Sequence, residues 1–185
     1  GRHRSRYIYN NEGVLKNEKK LLEEAYGKKV FGIRQHYLCF DASKTWKIQK
    51  KAGFEYDCTL GYPDKPGFRN GTAHAFHPIV NSQQLDLYEI PLIIMDATLQ
   101  GYLKKNFIDN RDQLFHLCTG YIDTVAELGG AVSILWHNDR FDAILHPGAE
   151  QFYMDLLEYI ESKNGWMTSG KNIIDHLKKT ESGDQ

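Results

Sequence analysis

Residues 29–57 read KVFGIRQHYLCFDASKTWKIQKKAGFEYD, and this stretch decides the fold. Its apolar runs predict short β-strands over 29–33 and 54–60. Between them, residues 43–52 are predicted to form a helix that Ser43 caps and Gly53 ends. A strand, a helix and a second strand in this order are typical of a parallel sheet that is covered by helices.

The same alternation continues along the rest of the chain. Apolar residues at helical spacing predict helices over 13–26 and 114–128 and within the segments 152–160 and 173–177. Apolar runs predict strands over 88–95 and 132–136, and Trp166 suggests a last strand. Because Pro91 has no backbone donor, we expect the strand over 88–95 to be irregular or to lie at an edge. The order predicts an α/β fold with a mostly parallel sheet, either open or closed into a barrel.

The composition is typical of a globular protein with one domain, which we expect to cover residues 1–185. Hydrophobic residues make up 41% of the chain and charged residues 25%, and the formal net charge is -1. Such a chain is a poor partner for nucleic acids or anionic membranes, because both bind clustered Lys and Arg side chains. No apolar run reaches the length of a membrane-spanning helix.

The cysteines indicate the compartment. Cys39, Cys58 and Cys118 lie far apart in apolar segments, which fits buried thiols better than a disulfide framework or a metal knuckle. Free thiols favour a reducing environment, and no signal peptide is visible. We therefore expect a cytoplasmic location.

Polar residues follow the predicted strands at the point where each strand ends. They are the runs from Arg34 to Tyr37 and from Asp57 to Tyr62, then Asp96, and the run from His137 to Asp139. The carboxyl ends of parallel strands meet at one rim, where chemistry gathers. Histidines and carboxylates there can exchange protons or ligate a divalent metal. The alternative is that each histidine only forms a hydrogen bond and each aspartate only caps a turn.

Residues 61–81 are rich in glycine and proline and predict a long loop, a feature that is often functional. Arg69 in this loop can clamp a sugar carboxylate or an acetyl oxygen through two donors. Alternatively, Arg69 anchors the loop through a salt bridge. We expect residues 61–78 to cover the rim and to approach His137.

The order of these motifs resembles the polysaccharide deacetylase family over most of the chain. The resemblance rests on the helix over 13–26, the run from Phe31 to Tyr37, the helix with Trp46, the run from Gly53 to Asp57, and Leu135-Trp136-His137. The last of these is similar to the family's late Leu-x-His motif. The resemblance implies an incomplete or distorted (β/α) barrel, in a divergent branch like those associated with bacterial surface polysaccharides.

The resemblance also implies an activity. It is that of a hydrolase which uses a divalent metal, zinc in the first place, to remove acetyl groups from an amino sugar or polysaccharide. His137 would protonate the departing group, and Asp57 or Asp64 would orient His137. Arg34 would hold the base aspartate.

Further roles follow from the same resemblance. The metal ligands would be His3 and His36, and the substrate would contact Arg69, Tyr37 and Trp136. The acetylated carbohydrate is thus the expected partner.

The sequence departs from the family in three places. The family's Asp-rich first motif, which supplies a metal ligand and the base, has no counterpart, so we expect the strand that carries it to precede the chain. His3 alone matches the family's two-histidine motif, and His36 stands where the family usually has proline. Two alternatives stay open: a carbohydrate-binding relative without catalysis, and an α/β interaction domain whose rim histidines are incidental.

Overall fold

The computed structural model describes residues 9–183 and has a mixed α/β architecture, as the sequence predicts. The α-helices of this part are α1 (Glu12–Tyr26), α2 (Thr45–Lys51), α3 (Arg111–Leu128), α4 (Ala149–Ser162) and α5 (Gly170–Ser182). The strands are β1 (Gly32–Ile33), β2 (Tyr56–Asp57), β3 (Ile79–Val80), β4 (Gln83–Gln84), β5 (Tyr88–Glu89), β6 (Leu92–Met95) and β7 (Ser133–Leu135). Short 3-10 helices cover His36–Leu38 and Asn138–Phe141, and a π-helix covers Thr98–Tyr102.

The described residues form two compact units. Unit 1 contains residues 9–60, 75–90 and 168–183, and unit 2 contains residues 61–74 and 91–167. The expectation of a single domain over residues 1–185 stays a prediction.

Unit 1 is built on a parallel three-stranded sheet in the order β1-β2-β5. Gly32 is required in β1, because a Cβ atom at this position would lie 2.0 Å from the Tyr56 ring. The antiparallel hairpin β3-β4 turns at Asn81 and Ser82, whose φ angles are 53° and 61°. Two positive φ values in succession match the twist of a tight hairpin. This hairpin begins inside the segment that the sequence predicts as one long loop.

Unit 2 is built on the parallel pair β6-β7 and on the packing of α3 against α4. Its core is formed by apolar side chains that include Ile94, Leu99, Phe107, Leu114 and Phe152. The buried face of α3 repeats at intervals of three and four residues, which is the helical spacing that predicts it.

Two predicted strands differ from the structure. The strand over 88–95 is divided at Pro91, and its halves β5 and β6 pair in different sheets. Proline cannot donate to a sheet ladder, so the pairing is interrupted there. The last strand predicted at Trp166 is wrong, because residues 164–169 form no strand and the Trp166 side chain is 61% exposed.

The strands of residues 9–183 belong to three separate small sheets, and no closed barrel is formed in this range. The parallel pairing of β1, β2 and β5 and of β6 and β7 confirms the α/β class. Over the same described range, none of the helices is both long and apolar enough to cross a membrane.

Candidate functional site

The register of unit 2 brings Asp96 and His137 together. Asp96 directly follows β6, and His137 comes two residues after the end of β7. The strands are parallel, with Met95 opposite Leu135, so both chains leave the sheet at the same edge. This is the carboxyl end of the pair, the place where chemistry gathers in parallel sheets.

Asp96 holds His137 by two contacts. Its Oδ1 atom lies 2.7 Å from His137 Nδ1, and its Oδ2 atom accepts the backbone N–H of His137 at 3.2 Å. The Asp96 side chain is fully buried, whereas that of His137 is 43% exposed. A carboxylate only accepts hydrogen bonds, so Nδ1 carries a hydrogen and Nε2 is the nitrogen left for chemistry.

Arg140 supplies the positive charge beside Asp96. The 3-10 helix Asn138–Phe141 turns the chain back towards the strand end, and Arg140 Nε donates to Asp96 Oδ2 at 2.7 Å. Arg140 Nη1 also lies 2.7 and 2.8 Å from the two ring nitrogens of His146. We call Asp96, His137, Arg140 and His146 the Asp96 cluster. A buried carboxylate paired with a guanidinium is a rigid support for an imidazole.

The structure corrects the sequence prediction of which carboxylate orients His137. That role was assigned to Asp57 or Asp64, but the carboxylate at Nδ1 is that of Asp96. A signal was present in the sequence, because Asp96 ends the most apolar strand of the chain. Its partner could not be found there, since the two residues are 41 positions apart.

Arg69 makes a local contact. Its Nη1 atom donates to the backbone carbonyl of Gly61 at 3.0 Å, so it joins two parts of the loop over 61–74. The loop is also tied to the sheet, because the N–H of Gly67 donates to the carbonyl of Ile93 at 3.0 Å. Arg69 therefore anchors its loop, through a carbonyl rather than through the salt bridge considered above.

Trp136 belongs to the aromatic part of the unit 2 core. Its ring lies 5.5 Å from that of Phe107, 6.2 Å from that of Phe152 and 5.2 Å from that of Tyr153, measured between ring centroids. Its Nε1 atom is buried and has no hydrogen-bond partner in the described part of the chain. The structure thus gives Trp136 a packing role beside His137, and its predicted sugar contact stays a prediction.

In unit 1, the segment after β1 has an unusual backbone. Tyr37 and Leu38 have φ angles of 59° and 51°, a region that side chains with a Cβ atom rarely occupy. Tyr37 is 58% exposed and stacks on His36, with ring centroids 4.2 Å apart. Arg34 Nε donates to the Cys58 carbonyl at 2.9 Å. Strained backbone of this kind is often kept at functional sites.

Asp57 forms a buried acid pair with Glu89. The two residues are partners in the parallel register of β2 and β5, and both are 0% exposed. Burial raises the pKa of Asp57 to about 6. Burial and the charge of Asp57 raise the pKa of Glu89 well above its ordinary value. Sequence reasoning did not identify Glu89, which has no signal of its own beyond its place in an apolar run.

A metal site is not formed by the described residues alone. In residues 9–183, no group of three or more His, Cys, Asp or Glu side chains is placed to hold a metal ion. His36, one predicted ligand, stacks on Tyr37, and His3, the other, lies outside the described residues.

In comparisons with known proteins, no family model, no curated protein and no solved structure matched this chain.

Proposed function

We propose that the Asp96 cluster is the acid–base centre of a hydrolase that removes acetyl groups from an amino sugar or polysaccharide. One observation carries this proposal: a fully buried carboxylate holds Nδ1 of a half-exposed imidazole at the carboxyl end of two parallel strands. This arrangement aims Nε2 at a ligand and stabilises the imidazolium, as general acid–base catalysis requires.

In this proposal His137 is the catalytic residue and Asp96 is its positioning residue. Water adds to the acetyl carbonyl carbon, and the bond from that carbon to the sugar nitrogen or oxygen then breaks. The departing amine or alkoxide takes the proton from Nε2, and acetate is released. Asp96 keeps the ring in one tautomer and one orientation, and Arg140 holds the Asp96 carboxylate in place. Arg69 and Trp136, which belong to unit 2, stay candidates for sugar contact. The roles predicted for Arg34, Asp57 and Tyr37, which belong to unit 1, stay predictions outside this cluster.

Several finer expectations belong to the same proposal. They are the incomplete (β/α) barrel of the deacetylase type, a link to bacterial surface polysaccharides, a cytoplasmic location, and a divalent metal, zinc in the first place. Such a metal, with His3 and His36 as candidate ligands, would polarise the acetyl carbonyl. Metal analysis of the purified protein tests that part independently, and a His3→Ala protein that keeps its full metal content contradicts His3 as a ligand.

The activity is tested by acetate release from N-acetylated and O-acetylated oligosaccharides. We expect His137→Ala to lower kcat by roughly two orders of magnitude while the fold stays intact. Asp96→Asn should lower kcat and change the pH profile, because an amide cannot stabilise the imidazolium. His116→Ala is the matched control, since His116 lies exposed on α3 of the same unit and should leave kcat unchanged.

Two results contradict the proposal in different ways. Full turnover by the His137→Ala protein removes His137 from the chemistry. Binding of the oligosaccharides without acetate release, in the protein with its metal restored, favours the carbohydrate-binding relative.

A further inference from the structure

The acid pair of unit 1, Asp57 and Glu89, forms no ion pair with a cation among the described residues. Asp57 and Glu89 lie side by side on β2 and β5, with no exposed surface. Two ionised carboxylates cannot stay in contact in such a place, because burial and like charge both oppose ionisation.

The four carboxyl oxygens show where a proton can lie. Thr59 Oγ1 donates to Asp57 Oδ1 at 2.5 Å. The N–H of Leu60 donates to Glu89 Oε1 at 3.0 Å, and Trp46 Nε1 donates to Glu89 Oε2 at 2.7 Å. Asp57 Oδ2 is the one oxygen that no such donor reaches within the described chain, and Glu89 is the residue beside Asp57 in the register of β2 and β5.

The titratable groups around the pair are engaged elsewhere or neutral. Arg34, from the end of β1, donates through Nε to the Cys58 carbonyl. Lys50 of α2 binds Asp86, and the His77 ring packs on Tyr88 and lies 3.7 Å from Glu181. Burial raises the pKa of Cys58 to about 12, so this thiol is neutral.

The pair connects two further segments of unit 1 to the strands β2 and β5. Glu89 holds α2 through Trp46, and Thr59 joins Asp57 to the segment after β1, because its hydroxyl also accepts the N–H of Gln35 at 2.9 Å. The side-chain amide of Gln49, fully buried in α2, makes no hydrogen bond in the described residues. A change in the charge of the pair therefore alters the hydrogen bonds that hold both α2 and the strained segment from Arg34 to Tyr37.

We propose that Asp57 and Glu89 share a single proton between Asp57 Oδ2 and the Glu89 carboxyl, and that this proton is a pH-sensitive latch for α2 and the Arg34–Tyr37 segment. Loss of the proton places two charges in contact inside unit 1. The hydrogen bonds through Thr59 and Trp46 then no longer offset the repulsion between the two carboxylates. As a result, α2 and the Arg34–Tyr37 segment lose their hydrogen-bonded attachment to the pair. The latch involves no residue of the Asp96 cluster, so the roles proposed for His137 and Asp96 do not depend on it.

The sign of the pH effect follows from the raised pKa values. Folding raises the pKa of both acids, so the folded state holds a proton that the unfolded chain releases. The stabilisation is complete below the ordinary carboxyl pKa. It falls as pH rises above that value, and it is fully lost once pH has passed the raised pKa values, of which that of Asp57 is about 6. Over that range the unfolding equilibrium constant should rise about tenfold for each pH unit.

The test compares unfolding midpoints between pH 5 and pH 9 for the whole protein and two variants, Asp57→Asn and Asp86→Asn. The Trp46 indole N–H resonance reports on unit 1, because this group binds Glu89 directly. In Asp57→Asn, the new N–H group lies where Asp57 Oδ2 was and donates to Glu89 without a shared proton. We expect the wild-type midpoint to fall with rising pH and the Asp57→Asn midpoint to stay level. Asp86 is an exposed acid of the same unit, so the unfolding midpoint of the Asp86→Asn protein should fall with rising pH as the wild-type midpoint does.

A second measurement keeps the test decisive if Asp57→Asn fails to fold. The infrared carbonyl band of a protonated carboxylic acid should be present in the wild type at pH 7 and absent in Glu89→Gln. The latch is overturned if the wild-type unfolding midpoint does not change with pH. It is also overturned if the midpoint of the Asp57→Asn protein falls with pH as steeply as that of the wild type. A missing infrared band together with stabilisation by added Ca²⁺ or Mg²⁺ overturns it as well, because a cation would then take the place of the proton.

Discussion

The two units both place buried acids at the carboxyl ends of parallel strands, yet they neutralise them in opposite ways. In unit 2, Asp96 is bound by the guanidinium of Arg140 and by the ring of His137. In unit 1, Asp57 and Glu89 are bound by a hydroxyl, an indole and a backbone N–H, all of them uncharged. The first acid has a guanidinium beside it, whereas the second pair needs a proton.

The difference arises in the residues that follow each strand. After β7 a 3-10 helix returns Arg140 to the strand end, but after β2 the chain brings back only Thr59 and Leu60. The two sites also differ in solvent exposure, because the His137 side chain is half-exposed whereas Asp57 and Glu89 are fully buried. A strand-end acid with a cation and an exposed imidazole is suited to ligand chemistry, and one without them is suited to holding the fold.

Asp96→Ala should have the largest effect, because it leaves Arg140 as a buried cation without its carboxylate. We expect a loss of about 3 kcal/mol in the free energy of unfolding, measured by urea denaturation. Asp139→Ala, which removes an exposed acid nearby, is the control and should change little. If the charge balance is the cause, adding Arg140→Ala to Asp96→Ala should cost less than the sum of the single changes.

Thr59→Val comes next. The substitution keeps the shape but removes the hydroxyl that donates to Asp57 Oδ1 and accepts from the Gln35 N–H. Two buried groups then lack a partner, and we expect a loss of about 2 kcal/mol in denaturant unfolding. Thr180→Val, on the exposed side of α5 in the same unit, provides the comparison. Equal effects of the two changes would show that the bonds to Asp57 do not matter.

Trp46→Phe should have a smaller effect, since it removes the indole donor to Glu89 Oε2 and only part of the buried ring. We expect a loss of about 1 kcal/mol at pH 5, measured by urea unfolding. The loss should grow at higher pH, where the acid pair is closest to releasing its proton. Trp166→Phe is the matched control because that side chain is 61% exposed. A loss that is the same at every pH would separate Trp46 from the acid pair.

Lys50→Ala should have the smallest effect. Lys50 pairs with Asp86 at the surface of unit 1, where the Asp86 side chain is 81% exposed. Exposed ion pairs contribute little because water and salt screen them, so we expect a change of less than about 1 kcal/mol. Thermal unfolding at low and at high salt provides the measurement. A change as large as that of Asp96→Ala would contradict the view that burial decides the strength of these contacts.

Local features were predictable because they depend on neighbours in the sequence. The helix predicted over 13–26 is α1, Glu12–Tyr26, with the Asn11 side chain as its cap and Gly27 at its end. The strand predicted over 132–136 contains β7, and His137 follows it at the rim as expected. The strand at Trp166 failed, because a single aromatic residue without alternating neighbours does not specify a strand.

By itself, the sequence determined the α/β alternation, the helix positions and the location of His137 at a strand end, since caps and apolar periodicity act within about ten residues. Only the tertiary structure decided the partners. The register of β6 with β7 joined His137 to Asp96, and the register of β2 with β5 joined Asp57 to Glu89. The physical reason is that a strand end gains its chemistry from whichever strand pairs beside it, and pairing depends on long-range burial rather than on local sequence.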